Sequence, residues 1–233
     1  MKIDAVIFDV DGTLWDTTDL VAQAWNKAVA EMGIQGTDLI TGDILKREFG
    51  KPMNVIMDNL FPNEDEQTKV DLLKICCEYE HDILENCEEE ILYPGVIEVF
   101  ETLSKKCKVG VVSNCQSGYI ELFLAKNKLE HYVVDTECYG DTLLSKGENI
   151  KLLMERNGIK NAIYVGDTIG DYTATVYAGI PFVFAKYGFG KVENPYKAIE
   201  DIREVLELVY SVSPVSIIPL IRDCGKAQNG VYY

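Results

Sequence analysis

Asp9 and Asp11 stand two residues apart in Asp9-Val10-Asp11-Gly12-Thr13-Leu14, directly after the apolar run Ile3 to Phe8. Side chains alternate faces along extended chain, so the two carboxylates project the same way. Neighbouring carboxylates repel each other unless a cation neutralises them, and an oxygen-rich pair suits Mg2+. On its own such a segment is equally a solvated acidic turn.

Three further segments offer complementary groups. Ser113-Asn114, after Lys108-Val109-Gly110-Val111-Val112, presents a hydroxyl and an amide that can donate to phosphoryl oxygens, although serine is also an ordinary helix N-cap. Lys146, in Ser145-Lys146-Gly147-Glu148, can pair with a transferring phosphoryl group and with a carboxylate, or be a plain surface charge. Gly166-Asp167-Thr168-Ile169-Gly170-Asp171 follows the run Ala162 to Val165 and adds two carboxylates, of which Asp171 could serve only a helix dipole.

The choice between these readings depends on where the elements place the residues. Apolar runs at Ile3 to Phe8, Val109 to Val112, Ala162 to Val165 and Pro181 to Ala185 read as strands buried on both faces. Helical spacing lies between them, in Val96, Val99, Phe100 and Leu103, in Ile120, Phe123 and Leu124, and in Ile150, Leu153 and Met154. The alternation predicts an α/β fold, a parallel sheet covered by helices. Ligands of such sheets bind beyond the carboxyl ends of the strands, where Asp9, Ser113 and Asp167 fall. Carboxylates for a metal, with a hydroxyl and an ammonium for phosphate oxygens, form a phosphoryl-transfer set.

The stretch from Asp16 to Ile91 breaks this rhythm. Leu20, Ala24 and Ala28, then Val70, Leu73 and Cys77, keep helical spacing without a buried strand. It reads as an all-helical insertion, with Tyr93-Pro94-Gly95 marking the return to the main domain. The predicted division is residues 1–15 and 92–212 for the α/β core, 16–91 for the insertion, and 213–233 for a C-terminal tail whose role its residues do not reveal.

With 233 residues, 47% hydrophobic and 26% charged, the composition is globular. The 38 acidic against 22 basic side chains leave a net charge of -16, which argues against nucleic acid or an anionic membrane as a partner. A phosphate-handling chain of this charge must hold its anion with a bound cation and a few local donors. The seven cysteines form no Cys-x-x-Cys and read as reduced structural thiols. The opening MKIDAVIFDVDG is neither a signal peptide nor a spanning helix, so a cytoplasmic location is expected.

DVDGTL at Asp9 to Leu14, VVSN at Val111 to Asn114, Lys146, and GDTIGD at Gly166 to Asp171 with Ala178-Gly179-Ile180-Pro181 resemble the signature regions of the haloacid dehalogenase-like superfamily, in its order. The likeness covers residues 1 to about 208 and is similar to capped members such as phosphoglycolate phosphatase and β-phosphoglucomutase. It implies a Rossmann-like parallel sheet core with an inserted all-helical cap domain. It also implies a Mg2+-dependent phosphatase acting on a small-molecule phosphate ester, phosphoglycolate-like or sugar-phosphate-like, as a monomer or homodimer.

Carried over by position, Asp9 would be the nucleophile that forms an aspartyl-phosphate and Asp11 the general acid and base. Ser113 and Asn114 would bind phosphoryl oxygens, while Lys146 would offset charge on Asp9 and on the transition state. The resemblance gives Mg2+ a side-chain oxygen of Asp9, the backbone carbonyl of Asp11 and a carboxylate oxygen of Asp167, with Asp171 orienting Lys146 or metal-bound water. Many capped relatives carry proline after this lysine, whereas Gly147-Glu148 follows here. The cap turn around Arg47 to Met53 would face the substrate, with Arg47 and Lys51 either contacting a second anionic group or standing as exposed charges.

Two other readings compete. A hexose-phosphate mutase would share the aspartyl-phosphate, but the insertion lacks the Arg-Gly-x-x-Arg segment expected of one. A non-catalytic signalling module that accepts phosphate only to change shape would need neither a substrate lid nor the acid at Asp11.

Overall fold

The computed structural model of the chain describes residues 2–36, 38–193, 195 and 197–210, and the predicted 213–233 tail lies outside them. Among the described residues the strands are β1 (Ala5–Phe8), β2 (Lys108–Ser113), β3 (Asp135–Cys138), β4 (Ala162–Gly166), β5 (Phe182–Ala185) and β6 (Lys197–Ile199). They form one sheet in the order β3-β2-β1-β4-β5-β6, parallel at every pairing. This is the doubly wound order, in which the direction of winding reverses beside β1. The predicted α/β fold is thus borne out.

Between β1 and β2 lie α1 (Thr18–Glu31), α2 (Gly42–Glu48), α3 (Met53–Leu60) and α4 (Glu66–Asn86). After them α5 (Val96–Ser104), α6 (Tyr119–Asn127), α7 (Tyr139–Thr142), α8 (Lys146–Arg156), α9 (Ile169–Ala178) and α10 (Val205–Tyr210) connect or follow the strands. The continuous apolar runs are what burial on both faces requires. Val6 and Phe8 of β1 join Val109, Val111 and Val165 in one cluster with Phe100 of α5 and Phe123 of α6. Ala5 and Ile7 face the other way, with Val112, Tyr164 and the α8 residues Ile150 and Leu153.

Register aligns the rim. Phe8 is level with Val111 on one side and Val165 on the other, so Asp9 lies one residue past that line and Ser113 and Asp167 two. Residues distant in sequence therefore emerge side by side at the carboxyl edge.

The helices α1 to α4 join the same apolar cluster through Trp25, Leu45, Ile56, Met57 and Leu72, so burial is continuous from sheet to helical block. The two chain crossings run together: Asp16 N donates to the Ile91 carbonyl at 2.9 Å, and Tyr93 N to the Leu14 carbonyl at 2.9 Å.

Two strands escape the sequence pattern. β3 is Asp-Thr-Glu-Cys, an edge strand without an apolar run, and Arg156 spans it by donating to Asp135 at 2.7 and 2.8 Å and pairing with Glu137 at 3.0 Å. β6 has only three residues. The six described cysteines are free thiols, with Cys224 outside the described residues. Among those residues no helix is long and apolar enough to cross a membrane.

Candidate active site

Asp9 follows β1 with its side chain buried, and Lys146 Nζ donates to its Oδ1 at 2.9 Å. The same ammonium donates to Asp171 Oδ1 at 2.6 Å. Lys146 opens α8, where Ser145 and Glu148 form a capping box that fixes the first turn and aims the lysine inward. The departure at Gly147 has a packing reason. A Cβ there would lie 2.8 Å from Tyr177 Cδ1 and 3.0 Å from the Ala174 carbonyl, so glycine lets α8 close on α9.

Asp171 is fully committed. Besides Lys146 on Oδ1, its Oδ2 accepts from Thr168 Oγ1 at 2.7 Å, Thr168 N at 2.9 Å and Asp167 N at 3.2 Å. Asp167 is not. Its Oδ2 accepts from Phe189 N at 2.6 Å and Gly190 N at 3.3 Å, while its Oδ1 is buried without any partner. Gly188 makes this approach feasible, because a side chain there would overlap Asp167 and the Gly12 carbonyl.

Carboxylate oxygens of Asp9, Asp167 and Asp171 lie within 4.8 Å of one another, all buried, with Lys146 as the ammonium between two of them. Three acids against one base leave the cluster short of positive charge, and water cannot make up the difference. Burial first, then the Asp171 charge, pushes Asp9 from 3.8 up to about 6, against the pull of Lys146. Asp167 is pushed well above its ordinary value, by burial and then by Asp171 and Asp9. Burial works against the ammonium of Lys146, yet Asp171 and Asp9 together hold it above the ordinary range. An orphaned buried carboxylate oxygen in an all-oxygen, negatively charged nest fits a hard divalent cation.

Asp11 faces elsewhere. Its Oδ1 accepts from Tyr119 OH at 2.7 Å, Trp15 Nε1 at 3.0 Å and Thr17 Oγ1 at 3.2 Å. Burial raises its pKa to about 7, the Tyr119 and Thr17 hydrogen bonds opposing and the Asp9 and Glu80 charges adding to the rise. Asp11, Ser113 and Asn114 line a cavity whose far wall is Trp25, Glu80 and Gln116.

The helical block closes over this cavity. Asn114 Nδ2 donates to the Gly50 carbonyl at 2.8 Å, leaving its buried Oδ1 without a partner. Lys46 pairs with Asp16 at 3.0 Å, and Phe49 meets the ring of Phe189, whose backbone amide holds Asp167. Lys51 lines the cavity and is held by Glu48 at 2.8 Å, whereas Arg47 is exposed and does not line it.

Asp9, Lys146, Asp167 and Asp171 thus form one buried cluster, and Asp11, Ser113 and Asn114 the adjoining wall. Sequence reasoning did not single out Trp15, Trp25, Glu80, Gln116, Tyr119 or Phe189. Their spacing carries no signal, since Trp25 and Glu80 meet across 55 residues and look locally like an apolar and a solvated helix position.

The profile of haloacid dehalogenase-like hydrolases matches residues 6–185, and the chain belongs to that family; it is an enzyme, a hydrolase. It is similar to the phosphoglycolate phosphatase of Rhodospirillum rubrum, 26% identical over 80% of this chain and 81% of the relative. A pyrophosphatase of Oceanobacillus iheyensis is 24% identical over 90% of this chain and 98% of that one. In fold it is similar to a predicted phosphoglycolate phosphatase from Haemophilus somnus, with a TM-score of 0.79, 20% identity, and coverage of 89% of this chain and 98% of the other.

Proposed function

We propose that this hydrolase is a Mg2+-dependent phosphatase that cleaves small-metabolite phosphate monoesters through an aspartyl-phosphate on Asp9. The observation that carries the reading is the buried cluster in which Lys146 bridges Asp9 and Asp171 beside the unpartnered Asp167 Oδ1. Relatives named for phosphoglycolate and for pyrophosphate agree on phosphate and differ on the rest of the substrate.

A carboxylate oxygen of Asp9 forms the bond to phosphorus as the ester P–O bond breaks, and the electron pair leaves with the alkoxide. Asp11 gives that alkoxide its proton. Asp11 then takes a proton from water, whose oxygen bonds to phosphorus and frees Asp9 and inorganic phosphate. A pKa of about 7 suits both duties at neutral pH. Ser113 and Asn114 hold phosphoryl oxygens, and Lys146 offsets the charge on Asp9.

Asp9 and Asp167, with the backbone carbonyl of Asp11, would hold Mg2+, which supplies charge neutralisation for the nucleophile and the phosphoryl group. Asp171 fixes Lys146 from behind. Residues 16–91 act as a lid. The cavity holds about 20 Å3 in the closed arrangement, room for about one water by the usual 10–15 Å3 threshold, so ester entry requires the Asn114 to Gly50 contact to open. The enzyme would work in the cytoplasm.

The test is Mg2+-dependent phosphate release from p-nitrophenyl phosphate. Asp9→Asn should abolish it, and retained turnover would remove Asp9 as nucleophile.

A further inference from the structure

The leaving group must lie on the side of Asp11, because that carboxyl supplies its proton. That side is the cavity between the sheet edge and the helical block, bounded by Trp25, Ile56, Glu80, Gln116 and Tyr119. The more buried of its two acids is Glu80 of α4, only 3% exposed and used by no step above. One Glu80 oxygen accepts from Trp25 Nε1 at 2.8 Å and the other from Gln116 Nε2 at 2.9 Å.

Neither partner is a cation, and no ion pair among the described residues includes Glu80. The lysine lining the cavity, Lys51, is already paired with Glu48 at 2.8 Å. A carboxylate accepts hydrogen bonds at several lone pairs, so each Glu80 oxygen retains capacity for one more donor. Gln116 belongs to the segment after β2 and Trp25 to α1, so the acid is clamped from both sides of the cavity.

Burial already disfavours the ionised form of Glu80, pushing it from 4.5 up to about 7, and a substrate carboxylate beside it and Asp11 would add a negative group that no free ammonium of the lining offsets. A hydroxyl or ammonium would instead complete the unfilled acceptors. We propose that the cavity selects phosphate esters of hydrogen-bond-donating alcohols, polyols or amino alcohols, and that Glu80 is the residue that discriminates against carboxylate-bearing esters. This deepens the phosphatase reading and rests on it.

The experiment uses the full chain with Mg2+ and compares kcat/KM for glycerol phosphate, phosphoethanolamine and phosphoglycolate, with p-nitrophenyl phosphate as a control. The better of the first two should exceed phosphoglycolate by about tenfold or more. Phosphoethanolamine ahead assigns an ammonium to the cavity, and glycerol phosphate ahead assigns hydroxyls. Glu80→Gln should cut the preference about tenfold, chiefly through KM, a charge-dependent ratio that a merely structural role would not move.

Phosphoglycolate cleaved as well as the others, or a ratio unmoved in Glu80→Gln, overturns the assignment. Should the variant not fold, the wild-type ratio decides. Silence toward every ester, the aryl control included, counts against the phosphatase reading. Dissociation constants of glycerol phosphate and phosphoglycolate on Asp9→Asn then decide the cavity by the same tenfold margin.

Discussion

The two halves of the site bury carboxylates in opposite ways. Around Asp9, Asp167 and Asp171 the acids crowd within 4.8 Å, Asp9 and Asp171 share one ammonium, and one oxygen of Asp167 is left bare. Asp11 and Glu80 pair with no ammonium among the described residues, and neutral donors, Tyr119, Trp15, Trp25 and Gln116, do the satisfying. The first arrangement concentrates charge until a proton or a cation must relieve it. The second buries acids among neutral donors, and burial pushes Asp11 and Glu80 up to about 7.

The sharpest way to break this contrast is through Asp9, the proposed nucleophile. Asp9→Asn should lower ester hydrolysis by about 10^4-fold or more, as loss of a covalent nucleophile does elsewhere. A stopped assay with residual turnover near wild type would make the charged cluster structural only.

Next in size is the ammonium. Removing one partner of a buried ion pair strands the other, so Lys146→Met should cost about 3–5 kcal/mol in urea unfolding, alongside loss of turnover. A cost below about 1 kcal/mol would mean that the pairs with Asp9 and Asp171 add little to the fold.

Chelation tests the proposed cation directly. Asp9 is raised in the fold from 3.8 to about 6, so its stability contribution is complete below about 4 and lost as pH rises through about 6, a swing of about 3 kcal/mol. In chelator the melting temperature should therefore fall across that window. Mg2+ at a hundredfold excess over its Kd should restore about 2.7 kcal/mol at neutral pH, and Asp167→Asn should largely abolish the effect. A melt indifferent to Mg2+ at every pH would contradict the cation nest.

The smallest effect lies on the neutral side. Tyr119 favours the charged form of Asp11, so Tyr119→Phe should raise the Asp11 pKa and move the acid limb of the kcat profile to higher pH. The shift should be about one unit or less, the usual worth of one hydrogen bond. A limb that moves down, or stays put, would detach Tyr119 from proton transfer.

The charged half was largely legible in the sequence and the neutral half was not. Asp9, Asp167 and Asp171 follow apolar strands and small residues, a local pattern, and their convergence follows from parallel pairing. Glu80 and Trp25 carry no such mark, because their meaning arises from the packing of α1 against α4 and from Gln116 across the cavity. Strands were legible where burial on both faces forces an apolar run, as in β1 and β4. They were illegible at the edges, where Asp135 and Glu137 of β3 satisfy their charge with Arg156 instead.

One consequence follows from the paired crossings at Leu14, Asp16, Ile91 and Tyr93, each held to the other at 2.9 Å. A segment whose ends are neighbours imposes no spacing on its host, so its length and architecture are free to vary while the sheet register stays fixed. Replacement of everything between Asp16 and Ile91 by a foreign module with equally close termini would leave the carboxyl edge of the sheet assembled.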